Sequence, residues 1–263
     1  MDLQLRNKRA LVTGSSRGLG YSIARILALE GCRVAINGRN TQTISEAARN
    51  LVTETHADII PLTGDVGHPE VPNSLVEQTV QSFGGLDLLV TNAGGPPSGK
   101  FESFDDPAWQ KAIDLCLISH VRLIRAALPY LRQSECASVV TMTSYSVKQP
   151  IPNLVLSNSI RAATVGLTKS LSLELGAEGI RFNSILPGWT LTERVVELLS
   201  YRAMTNGTSL DEEITRQAKD SALGRMARPE EAANAVVFLL SPVASYITGV
   251  MLTIDGGTYK GTL

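Results

Sequence analysis

A glycine-rich turn lies near the start of the chain, where residues 13–20 read T-G-S-S-R-G-L-G. It follows a short apolar run, and apolar residues with helical spacing follow it. Glycines let the backbone approach a ligand closely, and the N-terminus of a helix presents free N–H groups and a positive dipole end. The turn therefore predicts a site for a phosphate or diphosphate group. Its spacing is neither G-x-G-x-x-G nor that of a P-loop, and an ordinary tight turn is the alternative interpretation.

Three more segments that could bind a ligand follow apolar runs of strand length. Asp65 and Val66 come after the third run, residues 91–94 (T-N-A-G) end the fourth, and residues 187–192 (P-G-W-T-L-T) follow the sixth. The carboxyl ends of parallel strands share one edge of an open α/β sheet, and ligands bind at that edge. We therefore expect these segments and the glycine-rich turn to form one site.

Seven short aliphatic runs must position this site, and they alternate with longer stretches of helical spacing. The runs are residues 10–13, 33–36, 59–62, 86–91, 138–143, 181–186 and 250–254. Near-continuous apolar strands separated by helices predict an α/β fold with one Rossmann-like, doubly wound parallel sheet and helices on both faces. We expect residues 1–263 to form a single domain. Residues 188–224 interrupt the alternation with two short amphipathic pieces around Asn206-Gly207, which is typical of a lid or a substrate wall.

Composition and charge exclude several classes of protein. Hydrophobic residues make up 43% of the chain, enough for a buried core, and 24 Lys and Arg against 25 Asp and Glu leave a net charge of −1. This balance argues against binding to nucleic acid or to an anionic membrane surface. The longest apolar run, residues 235–240, is too short to span a membrane. Three widely spaced cysteines without a C-x-x-C pair indicate reduced thiols and a cytoplasmic location, and three scattered histidines give no metal site.

Taken together, these segments resemble the short-chain dehydrogenase/reductase family, and within it the 3-oxoacyl-(acyl carrier protein) reductases. The family carries T-G-x-x-x-G-x-G, N-A-G and P-G-x-x-x-T at these places, and the resemblance covers roughly residues 5–258. It implies a nicotinamide dinucleotide cofactor, a small-molecule carbonyl or alcohol substrate, and a homo-oligomer, either a tetramer or a dimer. It also implies that the dinucleotide contacts Gly14, Ser16, Arg17, Gly18, Leu19, Gly20, Asp65, Val66, Asn92, Ala93, Gly94, Pro187, Gly188, Thr190 and Thr192.

The end of the second strand indicates which nicotinamide cofactor binds. Residues 36–40 (I-N-G-R-N) lack the acid that would hold a ribose 2′-hydroxyl and repel a 2′-phosphate. Arg39 stands there instead, and Arg17 in the glycine-rich turn adds a second guanidinium that suits a doubly charged phosphate. We therefore expect NADP(H) rather than NAD(H). Alternatively, both arginines are solvated surface residues.

The catalytic positions depart from the family pattern. The family uses a serine, a tyrosine followed four residues later by a lysine, and an asparagine on the preceding helix. None of the six tyrosines here has a lysine four residues later. Ser144 matches the family serine, but Ser157 stands at the tyrosine position and Arg161 at the lysine position, where the resemblance also places a contact to the nicotinamide ribose. Cys116 stands in place of the asparagine.

These replacements change what the site can do. The Ser157 hydroxyl is a far weaker acid than a phenol, and Arg161 keeps its positive charge but cannot pass a proton on. Cys116 donates weakly, and a small core residue is its simpler role. Two functions stay open. The first is an NADP(H)-dependent oxidoreductase whose proton comes from water or from an unusual group such as Tyr145 or Lys148, and the second is a non-catalytic NADP(H)-binding sensor or interaction protein.

Overall fold

The seven apolar runs form the strands of one sheet in the computed structural model, which describes residues 2–262. The strands are β1 (Arg9–Val12), β2 (Arg33–Gly38), β3 (Ile59–Thr63), β4 (Leu88–Thr91), β5 (Ser138–Met142), β6 (Arg181–Pro187) and β7 (Met251–Ile254). Their order across the sheet is β3-β2-β1-β4-β5-β6-β7. Each neighbouring pair is parallel, which confirms the predicted α/β fold with a doubly wound parallel sheet.

Helices connect these strands along the described chain. They are α1 (Gly18–Leu29), α2 (Thr41–Thr55), α3 (Val71–Phe83), α4 (Asp106–Ile113), α5 (Ser119–Leu131), α6 (Val155–Glu174), α7 (Glu193–Asn206), α8 (Leu210–Ala218) and α9 (Pro229–Leu240). A π-helical turn, Asp114–Ile118, joins α4 to α5 without a break. Within residues 2–262, none of the helices is both long and apolar enough to cross a membrane.

The strands are apolar on both sides because each side packs against its own layer of helices. In β1, Val12 belongs to a core cluster with residues of α1, α2 and α9. Its neighbour Leu11 belongs to a second cluster, with residues of α3 and α5. Both side chains are fully buried. Burial on two faces explains why these runs show no alternation of apolar and polar residues.

The direction in which strands are added to the sheet reverses between β1 and β4. From β1 the chain builds outward through β2 and β3, and from β4 it builds the other way through β5, β6 and β7. Such a reversal leaves a crevice outside the carboxyl ends of the two central strands, where open α/β sheets bind ligands. Thr13 and Asn92, the residues that follow β1 and β4, therefore lie at this crevice.

Residues 188–224 contain the two predicted helical pieces, which are α7 and α8. Gly207 ends α7 in the left-handed conformation, and Ser209 caps α8 together with Glu212. The buried carboxylate of Glu213 accepts hydrogen bonds from Asn206 at 3.1 Å and Thr208 at 2.7 Å. These bonds fix the connection between the two helices, so residues 188–224 have a defined conformation.

Candidate functional site

The glycine-rich turn is tightly folded against the ends of β1 and β4. Gly14 has a positive φ of 57°, and a Cβ at this position would lie 2.9 Å from the carbonyl oxygen of Asn92. A Cβ on Gly20 would overlap the carbonyl oxygen of Gly14. Because both positions exclude any side chain, the first turn of α1 sits directly on the end of β1.

Hydrogen bonds tie the turn across the reversal point of the sheet. The Thr13 hydroxyl donates to the Asn92 carbonyl at 2.8 Å and accepts from the Asn92 backbone N–H at 2.9 Å. The Asn92 side chain donates to the Gly14 carbonyl at 3.0 Å. The amide predicted to contact a dinucleotide thus positions the glycine-rich turn. Ala93 and Gly94 follow it, and a Cβ on Gly94 would meet nothing within 4 Å.

Asn37 is a positioning residue that the sequence interpretation missed. Its side chain is buried in β2, accepts from the Gly14 N–H at 3.3 Å, and donates to the carbonyls of Leu62 and Gly64 at 3.1 and 3.0 Å. It therefore fixes the ends of β1, β2 and β3 relative to one another. A single polar residue inside an apolar strand was the signal that could have identified it.

The N-terminus of α1 is free to bind an anion. Arg17 occupies the capping position, and within the described chain no side chain bonds to the first turn of α1. Asn40, Thr192 and Ser209 cap the starts of α2, α7 and α8, whereas α3 and α6 also begin without a capping side chain. Uncapped N–H groups next to the crevice suit a diphosphate, so the donor set fits a dinucleotide.

The two arginines predicted to bind a 2′-phosphate have different surroundings. The Arg17 guanidinium lies 3.1 Å from the Glu197 carboxylate on α7, and the two side chains are 58% and 54% exposed. Arg39 is exposed and forms no ion pair or hydrogen bond with residues 2–262. Ser16 lies against the end of β2, because a Cβ on Gly38, the last residue of that strand, would be 3.1 Å from the Ser16 Cβ.

The segments after β3 and β6 complete the rim of the crevice. Asp65 accepts from the Gly67 N–H at 3.0 Å, and Val66 is buried beneath this turn. Pro187 ends β6, and Gly188 leads into Thr190, which is buried, and into Thr192, which caps α7. A Cβ on Gly18 would be 3.5 Å from the Thr192 side chain, so the start of α7 lies against the glycine-rich turn. Leu19 of that turn packs against the core cluster beneath it.

Ser144 and Ser157 present hydroxyl groups at neighbouring element ends. Ser144 follows β5 and begins a short 3-10 helix, where its oxygen accepts from the Ser146 N–H at 3.1 Å. The Ser144 hydroxyl proton is thus left for another partner. Ser157 lies in the first turn of α6, partly buried, and forms no hydrogen bond with the described residues.

Arg161 lies one helical turn after Ser157 and reaches to the end of β5. Its Nη1 donates to the carbonyls of Met142 and Thr143 at 3.1 and 3.4 Å. Its Nη2 would be 3.9 Å from a Cβ on Gly95, which places the guanidinium between the ends of β4 and β5. Within residues 2–262, no carboxylate lies within 4.0 Å of it. The structure thus places a cation next to the end of β5.

Cys116 lies in the π-helical turn and points to the same place. Its Sγ is 3.7 Å from the Gly94 carbonyl, and its own carbonyl accepts from the Thr164 hydroxyl. Burial raises the pKa of the Cys116 thiol, and the charge of Arg161 offsets part of this effect. The thiol therefore keeps its proton. It packs with Leu156 in a small apolar cluster, as expected of a core residue.

His120 is a buried neighbour that the sequence interpretation did not single out. Its Nδ1 lies 2.6 Å from the Thr91 hydroxyl, and the side chain is almost fully buried. Burial, and secondly the charge of Arg161, lower the pKa of His120 to about 3. The imidazole is therefore neutral at ordinary pH. A single histidine, with no other potential metal ligand nearby in sequence, did not indicate that it would be buried and neutral beside this site.

Tyr145 and Lys148, the two alternative proton donors, differ in burial. Tyr145 is 6% exposed, and its hydroxyl accepts from the indole N–H of Trp189 at 3.2 Å. Burial raises the pKa of Tyr145, and the charges of Asp220 and Asp255 act in the same direction, so the phenol stays protonated. Lys148 is exposed, with its ammonium 5.3 Å from the centre of the ring of Tyr259.

Comparison with known proteins gives several matches over almost the whole chain. The family model described as enoyl-(acyl carrier protein) reductase matches residues 14–259. Dehydrogenase/reductase SDR family member 4 from Oryctolagus cuniculus is 34% identical over 257 residues, covering 96% of this chain and 94% of that protein. The 3-oxoacyl-(acyl carrier protein) reductase of Chlamydia muridarum is 32% identical over 257 residues, covering 98% of this chain and 99% of that protein.

A solved structure agrees with the same assignment. L-sorbose reductase from Gluconobacter frateurii, complexed with NADPH and L-sorbose, superposes with a TM-score of 0.96 at 32% sequence identity, covering 99% of this chain and 100% of that chain. The matched region contains the glycine-rich turn, the crevice and the helices over it. The resemblance expected from the motifs is thereby confirmed, and this chain belongs to the short-chain dehydrogenase/reductase family of oxidoreductases.

Proposed function

We propose that the chain is an NADP(H)-dependent oxidoreductase that acts on a small-molecule carbonyl or alcohol, with Ser157 and Arg161 in place of the usual tyrosine and lysine. One observation carries this proposal: the uncapped turn of α1 and the groups of Ser144, Ser157 and Arg161 converge on the same edge of the sheet. A site for an anion and a set of polar groups thus share one crevice.

The groups that would hold NADP(H) are spread along that edge. The free N–H groups of α1 would bind the diphosphate, and Arg17 and Arg39 would bind the 2′-phosphate. The Asp65 carboxylate would accept from the adenine amino group. Arg161 would donate to a ribose hydroxyl. The relative that is complexed with NADPH in its solved structure supports NADP(H) as the cofactor.

The cofactor, when bound, supplies or accepts a hydride, and the chain must handle the substrate oxygen and its proton. The Ser144 hydroxyl has a free proton that it can donate to a carbonyl oxygen. The Arg161 charge stabilises negative charge that develops on that oxygen but cannot be transferred as a proton. The proton comes from water or from Tyr145, which follows Ser144 directly and remains a phenol.

Residues 188–224 would form a lid over this crevice within the single domain. The start of α7 lies against the glycine-rich turn at Gly18, and Arg17 binds Glu197 on the next turn of that helix. On the substrate side, Trp189 contacts Tyr145 through a hydrogen bond. The segment therefore touches both the predicted cofactor side and the predicted substrate side, as a lid must.

Two measurements test the proposed function. First, fluorescence titration should show that NADPH binds more tightly than NADH. Second, the purified protein should oxidise NADPH in the presence of some members of a broad panel of aldehydes, ketones and oxo acids.

The double variant Ser157→Tyr with Arg161→Lys restores an acid and a transferable proton, and we expect it to raise turnover. Binding without turnover in the wild-type protein, but with turnover in this variant, would instead support a non-catalytic NADP(H)-binding protein.

A further inference from the structure

Arg161 is a partly buried cation that has no anionic partner among residues 2–262. Its guanidinium is held by two backbone carbonyls at the end of β5, and no carboxylate of residues 2–262 lies within ion-pair distance. Most of the other partly buried arginines among residues 2–262, such as Arg9 beside Asp87, have an acidic partner. An uncompensated charge in a half-buried place is costly unless a ligand compensates it.

The groups around Arg161 do not supply the missing negative charge. Cys116 keeps its thiol proton, because burial raises its pKa, and His120 is neutral, because burial and Arg161 itself lower its pKa to about 3. Ser144 and Ser157 carry neutral hydroxyls. The place where β4 and β5 end is therefore a positive site made of otherwise neutral groups.

The guanidinium has donors and space for a ligand. Of its five N–H groups, the two on Nη1 face the strand carbonyls, which leaves Nε and Nη2 with three donors. A ribose hydroxyl can use one donor, and two remain for a bidentate carboxylate. The backbone opposite is open, since a Cβ on Gly94 would meet nothing within 4 Å and one on Gly95 would meet only Nη2.

We propose that the substrate carries a carboxylate that binds Arg161, and that this carboxylate lies next to the reacting carbonyl, as in a 2-oxo or 3-oxo acid. Arg161 bonds to the carbonyl of Thr143, and Ser144, the hydroxyl donor for the substrate oxygen, is the following residue. Because Arg161 contacts the backbone next to Ser144, the anion site and the carbonyl site adjoin each other, which suits a substrate whose carboxylate lies close to its reacting carbonyl. The inference rests on the proposed function and names its substrate class.

Calorimetric titration of the NADP⁺-saturated protein tests this assignment with defined probes. The probes are 2-oxobutyrate and acetoacetate, each compared with its uncharged methyl ester. We expect each acid to bind on the order of tenfold more tightly than its ester, since a hydrogen-bonded charge pair is lost in the ester. Arg161→Met should abolish this preference, and Arg161→Lys should keep part of it. Arg49→Met, which removes an exposed cation on α2, is the matched control and should keep all of it.

The outcomes separate this inference from the proposed function. If the wild-type protein binds NADP⁺ but binds acid and ester equally, the substrate assignment is wrong while the proposed function stands. If it binds no NADP⁺, the proposed function fails, and the same titration of the nucleotide-free protein decides the inference alone. Should Arg161→Met not fold, as judged by its thermal midpoint, the wild-type ratio of acid to ester and the Arg161→Lys variant give the answer.

Discussion

The ion pair between Arg17 and Glu197 should compete with the 2′-phosphate of NADPH. Arg17 is one of two arginines predicted to bind that phosphate, and in the structure its guanidinium lies 3.1 Å from the carboxylate of Glu197. A ligand phosphate must displace this carboxylate or share the guanidinium with it, and the two anions repel each other. We therefore expect Glu197→Gln to bind NADPH more tightly than the wild-type protein does.

The size of the effect follows from the exposure of the pair. The two side chains are 58% and 54% exposed, so the pair is a surface ion pair. Such pairs contribute about 0.2–1 kcal/mol, which corresponds to about 1.4- to 5-fold in the dissociation constant. Salt screens exposed charges, because the Debye length falls to about 3 Å at 1 M. The gain should therefore decrease as the salt concentration rises.

Fluorescence titration at low and high salt measures this effect with NADPH and NADH in parallel. NADH lacks the 2′-phosphate, so its affinity should change little in Glu197→Gln. Glu77→Gln, an exposed carboxylate on α3, is the control for a general change in charge. If Glu197→Gln tightens both nucleotides equally, or tightens neither at low salt while Arg17→Ala weakens NADPH, then Glu197 does not compete with the phosphate.

Two further predictions concern buried positions around the crevice. His120 has a folded-state pKa of about 3, below its ordinary value of 6.5, so the unfolded chain binds the proton at a higher pH than the folded chain does. The free energy of unfolding should therefore fall as the pH drops from 6.5 towards 3, by up to about 1.4 kcal/mol per pH unit. Thermal melts should show this slope reduced in His120→Asn and unchanged in His68→Gln. Gly20→Ala should lower the free energy of unfolding in urea by about 1–3 kcal/mol and weaken NADPH binding, because the added Cβ would overlap the Gly14 carbonyl. Gly166→Ala should do neither, because nothing lies within 4 Å of a Cβ at that position.

Most of the fold could be predicted from the sequence because it depends on local patterns. The apolar run at residues 33–36 becomes β2, and the strand extends by only two residues to Gly38. Similarly, Asn206-Gly207 marks the end of α7, because a left-handed residue there favours glycine. Length, period and turn residues are enough for such assignments. The π-helical turn at Asp114–Ile118 has no comparable pattern and was not predicted.

The pairs that define the site were harder to predict because their members are far apart in the chain. Arg17 and Glu197 are 180 residues apart, and Tyr145 and Trp189 are 44 apart. Both contacts depend on the path of the chain after β6 and on the position of α7, which no local pattern specifies. Sequence register aligned Arg161 with the family lysine, one helical turn after Ser157, but did not show that its guanidinium reaches the end of β5. Nor could it show that the cation has no acidic partner among residues 2–262.

In the proposed function, Ser157 and Arg161 separate two roles that one tyrosine and lysine pair would combine. Arg161 is anchored to two strand carbonyls and stays protonated, so it supplies a fixed positive charge and no mobile proton. A fixed charge acts on whatever negative charge is present, either the carboxylate of a bound substrate or the oxygen that gains electrons in the reaction. The proton must then come from a group that the charge does not ionise. In the proposed function, the buried phenol of Tyr145 meets that condition, because its raised pKa keeps it protonated.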